Sequence, residues 1–283
     1  MTDGDVLRTV RTAWGVRLVL DRPDKLNALS HGLVDALDRA IEAAGDDPDV
    51  RVVVIEGAGR AFSAGYDLSE EVDEVIEGSL RWRDLLARDV AVTLRVWDCP
   101  KPVIAQVHGY CLAGGLELAM ACDLIVAAEG TMLGEPEIRY GSAPVTLLMP
   151  SLIGQKKTRE LLLTGDLIEA GEAERIGLVN RVVPMDQLAT SVEALADRLA
   201  RTPPEVMRLT KQMLNRAQEA SGLREAVAAG LDLGAIINAA DTPEQREWDA
   251  IVRSDGLKAA LAWRDRRYDA TRTGPPGDPP SGQ

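Results

Sequence analysis

Carboxylates in apolar surroundings are the first residues of this chain whose types suggest chemistry. Glu117 lies in the apolar run of residues 116–122. A carboxylate there is costly unless it is paired or used, although a glutamate near a helix start can also serve only as a partner of the helix dipole. Glu135 and Glu137 flank Pro136 and offer a second carboxylate, and the local sequence does not choose between them. Two such groups predict general acid–base chemistry.

Two glycine-containing segments, at residues 57–68 and 108–117, each follow a predicted buried strand. In the first, Gly65 permits a turn that would direct the backbone N–H of Tyr66 into a cleft, although a tight turn that binds nothing has the same composition. In the second, Gly114 stands at the predicted start of an apolar helix, where backbone N–H groups lack intrahelical acceptors. The N–H groups of Tyr66 and Gly114 together would form an oxyanion hole.

Other catalytic chemistries find little support. His31 and His108 are the only histidines, and both are interpreted as structural because no nucleophile elbow accompanies them. Cys99, Cys111 and Cys122 lack the spacing of a zinc site or a disulfide framework. The glycines do not follow the dinucleotide-binding fingerprint. We therefore expect neither a metal ion nor a bound cofactor.

Strands and helices that alternate along the chain must position these residues. Apolar, often β-branched runs predict strands at residues 16–20, 50–56, 103–107, 124–128 and 178–183. Helices are predicted at residues 30–44, 80–97 and 116–122, the first with Ser30 as its N-cap. Such alternation predicts an α/β fold with a mostly parallel sheet and ligand chemistry at the strand ends.

The sequence changes character after residue 184. Helical segments separated by proline- or glycine-containing breaks are predicted at residues 185–201, 203–220, 223–239, 243–253 and 256–267. We expect three regions: an α/β core at 1–184, a helical region at 185–270 that packs on the core or on a neighbouring subunit, and a loose tail at 271–283.

Composition excludes several classes of partner. The chain has 283 residues, 46% of them hydrophobic, and a net charge of −13. This acidity disfavours nucleic acids and anionic membranes, which require clustered cations. The most apolar stretch, residues 111–128, contains Glu117 and Asp123 and is a poor membrane span. The absence of a secretory signal pattern and the cysteine usage predict a reducing, cytoplasmic location.

The residues also resemble a known family, the crotonase superfamily, or enoyl-CoA hydratase/isomerase family, over about residues 16–267. The resemblance rests on residues 27–30, 61–68, 108–123 and 171–183. It implies a crotonase-like spiral of ββα units and a C-terminal helical region that helps to form homotrimers, which commonly pair into hexamers. It also implies that an acyl-CoA thioester is the substrate.

The resemblance further implies roles for individual residues. Tyr66 and Gly114 match the positions whose N–H groups hold the thioester oxygen. Glu117 and Glu137 match the two glutamates of the family's hydratases, which resolves the choice against Glu135 by resemblance alone. CoA would enter as part of the substrate, and the residues implied in binding it are Arg22, Lys25, Ala28, Ala61, Ala64, Gly65, Asp67, Leu68 and Gly141.

One segment departs from the family pattern. After Gly141 the family has a glycine-rich loop that leads to a Gln-Arg pair, whereas residues 142–150 form a shorter segment without that pair. This loop borders the acyl pocket. The leading prediction is an enoyl-CoA hydratase; the alternatives are an isomerase, a hydrolase, a decarboxylase, or a non-catalytic binding protein of the same fold.

Overall fold

The computed structural model describes residues 6–73 and 76–269, so the predicted tail at 271–283 lies outside the described residues. Its strands are β1 (Leu7–Arg11), β2 (Gly15–Leu20), β3 (Val52–Gly57), β4 (Val103–Val107), β5 (Tyr110–Leu112), β6 (Leu124–Ala128), β7 (Met132–Gly134), β8 (Ile168–Glu169) and β9 (Arg181–Val183). Its α-helices are α1 (His31–Asp46), α2 (Leu68–Asp73), α3 (Gly78–Asp98), α4 (Gly114–Ala121), α5 (Met149–Leu152), α6 (Gln155–Thr164), α7 (Ala170–Arg175), α8 (Leu188–Ala200), α9 (Pro204–Glu219), α10 (Leu223–Asn238), α11 (Pro243–Asp255) and α12 (Leu257–Asp269).

The larger sheet has the strand order β1-β2-β3-β4-β6-β9. Strands β2, β3, β4, β6 and β9 pair in parallel, and only β1 is antiparallel to its neighbour. The central strands β3 and β4 are covered on both faces over most of their length, as their largely β-branched and apolar sequences require. The prediction of an α/β fold with a mostly parallel sheet is confirmed.

Element boundaries agree with the predictions in part, since β3 covers Val52–Gly57 rather than 50–56 and α4 covers Gly114–Ala121 rather than 116–122. Strands β4 and β6 have the predicted bounds, and Ser30 caps α1 by accepting a 3.3 Å hydrogen bond from the N–H of Leu33. The predicted strand at 178–183 is shorter. The side chain of Asn180 accepts a hydrogen bond from the N–H of Ile125, and the ladder with β6 includes only residues 181–183.

The C-terminal helices pack on the α/β body. Apolar residues of α8 lie against one face of the large sheet, and α10 runs along α3. The helices α11 and α12 pack on each other and on a short 3-10 turn, Pro136–Tyr140. These contacts agree with the expectation that the helical region lacks a core of its own, while the division at residue 184 stays a prediction.

A second, small sheet with the order β5-β7-β8 brings the chemical segments together. Leu112 at the end of β5 pairs with Gly134 at the end of β7, and the N–H of Ala113 donates to the carbonyl of Gly134 at 2.9 Å. The start of α4 and the turn that carries Glu137 therefore lie side by side. None of the helices within residues 6–73 and 76–269 has the length and apolarity needed to cross a membrane.

Candidate active site

The turn at Gly65 places the first glycine-containing segment against the start of α4. Gly65 has a φ of +95°, which favours glycine, and its carbonyl accepts a 2.8 Å hydrogen bond from the N–H of Leu29. A Cβ atom at Gly65 would lie 2.6 Å from the Cβ of Ala113 and 3.4 Å from the N of Gly114. The peptide between Gly65 and Tyr66 is thus next to the first N–H of α4. We call Gly65, Tyr66, Ala113 and Gly114 the oxyanion corner.

Gly114 is confined by the ring of Tyr66. A Cβ atom at Gly114 would lie only 2.2 Å from Cε2 of that ring, so a side chain does not fit. Gly114 is also the first residue of α4, and its N–H has no acceptor within the helix. The preceding Ala113 has a φ of +53°, a local strain of the kind retained where the surroundings impose it. A glycine at 114 therefore lets the Tyr66 ring lie against the start of α4.

Glu117 lies one turn into α4 and is 1% exposed. Its Oε1 accepts hydrogen bonds from the backbone N–H groups of Val145 and Thr146, both at 2.8 Å. Its Oε2 has no hydrogen-bond partner among the residues that the structure describes. Burial raises the pKa of Glu117, and the hydrogen bonds from Thr146 and Val145 oppose that rise. One oxygen is therefore fixed, and the other can bind or activate a small polar molecule.

Glu135 and Glu137 are both buried, on either side of Pro136 and directly after β7. Glu137 lines the same pocket as Glu117, whereas Glu135 does not line it. Burial, followed by the charges of Glu137 and Glu117, raises the pKa of Glu135 well above its ordinary value. Because burial and nearby like charges disfavour its ionised form, Glu135 retains a proton more readily than an isolated glutamate does.

The predicted residues, apart from Gly141, fall into two groups in space. Those that share one pocket of about 50 Å³ are Ala64, Tyr66, Leu68, Glu117 and Glu137, and Ala113 of the oxyanion corner also lines it. We call this cavity the carboxylate pocket. It combines two buried carboxylates with a corner of backbone donors, which is the combination needed to stabilise a developing oxyanion while protons move.

The second group lies on the loops that precede α1 and follow β3. The Nδ2 of Asn27 donates to the carbonyls of Ala58 and Ala61 at 2.8 and 2.7 Å and so joins the two loops. Asn27 is fully buried and has a φ of +54°. Its side-chain role was not predicted, and the signal available was an asparagine in a polar turn, a residue type that tolerates this conformation. Lys25, on the same turn, is exposed.

The side chain of Arg22 hydrogen-bonds to other residues of the protein. Its guanidinium donates to the carbonyl of Ala28 at 2.5 Å and to the carboxylate of Asp67 at 2.8 Å. Burial alone would raise the pKa of Asp67, but the hydrogen bond and charge of Arg22 outweigh it and lower that pKa. A phosphate bound by Arg22, as predicted, would have to share the guanidinium with Ala28 and Asp67. Lys25 is the more accessible cation.

Gly141 lies apart from the carboxylate pocket. Its φ is +91°, and its carbonyl accepts a 2.5 Å hydrogen bond from Nε2 of Gln245 on α11. It lines a neighbouring, larger cavity. Tyr140 and Asn238 line both cavities, and neither was predicted. Asn238 could not be predicted from local sequence because it reaches the site only through the packing of α10. The N–H donors of Val145 and Thr146 were also missed, since main-chain donors leave no residue-type signal.

The cysteines take no part in this site. Cys99, Cys111 and Cys122 are buried free thiols, and burial raises the pKa of each. Thiols of this kind are poor nucleophiles. Within the described ranges, 6–73 and 76–269, the structure shows no grouping of three or more His, Cys, Asp or Glu side chains suited to a metal ion.

Comparison with known proteins agrees with this geometry. Residues 15–248 match the family model described as enoyl-CoA hydratase/isomerase. The chain is 38% identical over 205 residues to "Probable enoyl-CoA hydratase, mitochondrial" of Dictyostelium discoideum, covering 71% of this chain and 72% of the relative. It is also 38% identical over 208 residues to "Probable enoyl-CoA hydratase echA8" of Mycobacterium tuberculosis, covering 72% of this chain and 79% of the relative.

A solved structure shows the same fold. The crystal structure of an enoyl-CoA hydratase/isomerase from Xanthobacter autotrophicus Py2 superimposes with a TM-score of 0.90 at 38% sequence identity. The match covers 93% of this chain and 98% of that one. The resemblance carried by the sequence motifs is therefore confirmed in both sequence and structure. The chain belongs to the enoyl-CoA hydratase/isomerase family of enzymes, the crotonase superfamily.

Proposed function

We propose that the protein is an enoyl-CoA hydratase that adds water across the α,β double bond of a 2-enoyl-CoA thioester. The observation that carries this proposal is the arrangement of Glu117. One of its oxygens is fixed by the N–H groups of Val145 and Thr146, and the other is available in a pocket shared with Glu137. Hydration requires two acid–base groups at one water, and this pocket supplies two carboxylates.

The chemistry follows from what each group can do. The N–H groups of Tyr66 and Gly114 would stabilise the negative charge that develops on the thioester oxygen as an enolate-like species forms. Glu117 and Glu137 would hold the water, and its OH would bond to the β-carbon while Glu117 takes up the proton released. Glu137 would deliver a proton to the α-carbon and remove it in the reverse reaction. One proton must then return between the carboxylates before the next turnover.

The CoA portion would lie along the loops around Asn27 and Gly65. Small or buried residues there allow close approach to the backbone, and those we assign to this surface are Ala28, Ala61, Ala64, Gly65, Asp67 and Leu68. Lys25, which is exposed, and Arg22 would contact the phosphates. Such a small local cationic group is compatible with an anionic ligand even though the chain has a net charge of −13.

The proposed reaction uses only side chains, backbone donors and water. CoA would arrive as part of the thioester, and no resident cofactor or metal ion would be required. Dialysis against a chelator should therefore leave the rate of hydration unchanged, and restoration of a lost rate by a divalent ion would contradict this part of the proposal.

We also propose a homotrimer or a dimer of trimers in the cytoplasm. Large apolar side chains are exposed on α9 (Val206, Leu209, Met213, Leu214) and on α10 (Leu233, Ile236, Ile237). Surfaces of this kind commonly mark subunit contacts. Light scattering of the purified protein should give three or six times the mass of one chain, and a monomer would contradict the proposal. Cell fractionation tests the location.

The decisive experiment is a chain-length series of trans-2-enoyl-CoA thioesters, with loss of the conjugated thioester absorbance and gain of one water by mass as readouts. Hydration by the wild type, lost in Glu137→Gln, supports the proposal. Conversion of a 3-enoyl to a 2-enoyl thioester without water gain would assign an isomerase instead, and release of CoA or of carbon dioxide a hydrolase or decarboxylase. Binding of thioesters without any turnover would assign a binding protein.

A further inference from the structure

A second cavity of about 400 Å³ adjoins the carboxylate pocket. We call it the distal chamber. Leu68, Tyr140, Ser142 and Asn238 line both cavities and so form the wall between them. On its far side the distal chamber is closed by α11, which contributes Gln245, Trp248, Asp249 and Arg253.

The size of the two cavities decides where a long acyl group can go. The carboxylate pocket holds about 50 Å³, room for little more than the reacting carbons and a water. At the wall, Oγ of Ser142 donates to Oδ1 of Asn238 at 2.8 Å, a contact between two side chains that rotamer changes can open. An acyl chain longer than the reacting segment would therefore continue past Ser142 into the distal chamber.

The lining of the distal chamber combines stacked aromatic rings with polar side chains. Trp248 is 3% exposed and stacks on Tyr140 with ring centroids 4.8 Å apart. Asp249, next to Trp248, is half-buried and lines the chamber. Cavities for purely aliphatic chains are lined mainly by apolar side chains, so this composition points to a ligand with a polar end.

The charged side chains that line the distal chamber disfavour an acyl group that ends in a carboxylate. Glu77, Asp241 and Asp249 contribute three carboxylates to the lining, and Arg253 is the single cation among the described lining residues. Asp241 is already paired with Arg246. An acyl group that ends in a carboxylate would meet more negative than positive charge in a half-enclosed space.

Asp249 is available as a hydrogen-bond acceptor. Its closest recorded ion pair is with Arg253, at 4.0 Å, which is longer than a hydrogen bond. No described residue donates a hydrogen bond to its carboxylate. Burial raises the pKa of Asp249, and the charge of Arg253 opposes that rise. A half-buried carboxylate with this acceptor capacity is stabilised by a ligand that donates to it.

We propose that the distal chamber is the subsite for the end of the acyl group, and that it selects acyl groups ending in a hydrogen-bond donor, a hydroxyl, which Asp249 accepts. This inference rests on the proposed function and names its substrate class. A hydroxyl matches the acceptor without adding negative charge, and the aromatic side chains of Tyr140 and Trp248 in the lining offer apolar contact to the carbon chain that carries it.

The test measures binding separately from turnover. Saturated acyl-CoA thioesters that end in a methyl group, a hydroxyl or a carboxylate are titrated by calorimetry at matched chain lengths. At the best length we expect the hydroxyl-ended thioester to bind about tenfold more tightly than the methyl-ended one, and the carboxylate-ended one to bind most weakly. Tightest binding of the methyl- or carboxylate-ended compound would overturn the inference.

Variants of α11 identify the acceptor. Asp249→Leu should abolish the preference for hydroxyl over methyl, and Asp249→Asn, which keeps an amide acceptor of similar shape, should retain part of it. Asp255→Asn removes a charge from the exposed end of the same helix and should leave the ratio unchanged. An unchanged ratio in Asp249→Leu would overturn the assignment. Hydration of the unsaturated four-carbon thioester by the wild type tests the proposed function alone, because this short acyl group does not reach the distal chamber. Failure of the hydratase proposal can therefore be distinguished from failure of the distal-chamber inference.

Discussion

Two sides of the carboxylate pocket are built in different ways. The oxyanion corner consists of backbone groups placed by close approach of Gly65 to Ala113 and of Gly114 to Tyr66. Opposite it, residues 142–148, which we call the glutamate loop, hold Glu117 through the N–H groups of Val145 and Thr146. The first side depends on strand and helix ends, and the second on a loop that rests on α10.

The difference shows which features of the site can vary. A backbone donor at a helix start is fixed by the sheet and the helix, and a side chain at position 114 would block it. The glutamate loop is supported by contacts with residues far along the chain, such as the packing of the Val145 carbonyl against Gly230 of α10. We expect substitutions in the oxyanion corner to cause large losses of rate, and substitutions in the glutamate loop to change rate and specificity in smaller steps.

Replacement of Glu117 by glutamine tests the group that the glutamate loop positions. The amide can still accept hydrogen bonds from Val145 and Thr146 but cannot take up a proton, so kcat should fall by about 10² to 10⁴-fold with a small change in KM. Initial rates of enoyl-CoA hydration measure both. Glu129→Gln, an exposed glutamate after β6, is the matched control and should retain the wild-type rate. A wild-type kcat in Glu117→Gln would remove Glu117 from the mechanism.

Gly114→Ala tests the rigidity of the oxyanion corner. The added methyl group would lie 2.2 Å from the Tyr66 ring and displace the N–H donor, so kcat should fall by about 10² to 10³-fold and stability by roughly 1–3 kcal/mol. Rates and urea unfolding measure the two losses. In a Tyr66→Ala background the stability cost of Gly114→Ala should be smaller, since the clash with the ring is gone.

The control for that substitution is Gly32→Ala in α1, where a Cβ atom meets nothing within 4 Å. It should leave the rate unchanged and stabilise the fold by about 0.5–1 kcal/mol, the helical advantage of alanine over glycine. If Gly114→Ala behaves like Gly32→Ala, the oxyanion corner is not rigid and the contrast with the glutamate loop disappears.

Gly230→Ala tests how far the glutamate loop depends on α10. Its Cβ would lie 2.5 Å from the Val145 carbonyl and push the loop away from Glu117, with an expected loss of about tenfold in kcat. The hydrogen bonds from Thr146 and Val145 lower the pKa of Glu117, so weakening them should move the acidic limb of the kcat/KM profile to higher pH. Gly171→Ala, with open space around it, is the control, and an unmoved acidic limb would contradict the coupling.

Glu135→Gln should give the smallest effect on rate and a measurable one on stability. Burial and the neighbouring Glu137 and Glu117 raise the pKa of Glu135 in the folded protein. The stability associated with its bound proton is therefore complete below the ordinary glutamate pKa and declines as the pH rises through and above it. A glutamine cannot ionise and should avoid this loss, so the variant should lose less stability than the wild type as the pH rises from acidic to neutral.

Urea unfolding of both proteins across that pH range measures the difference. A constant difference at every pH would show that Glu135 does not hold its proton more tightly when folded. Such a result would place Glu135 outside the group of interacting carboxylates.

Parts of this fold could be predicted from the sequence because burial leaves a pattern. Strand β6 is a continuous apolar run and β4 is one apart from Gln106; the bounds of both agree with prediction. The strands β5, β7 and β8 have only two or three residues, too few for any periodicity, and β1 is an exposed edge strand. Pairing across the chain, rather than local preference, forms these elements.

The amino-acid sequence by itself determined the chemical groups: Glu117 one turn after Gly114, a glycine turn before Tyr66, and Glu137 beside Pro136. These follow from residue type and local spacing, which act within one element. Residue type left the choice between Glu135 and Glu137 open, and the tertiary structure agrees with the family resemblance by placing Glu137 in the carboxylate pocket. Only the tertiary structure decided that loop amides fix Glu117 and that α11 borders a polar distal chamber. These are contacts between segments distant in sequence, and local pattern does not encode distances across a packed core.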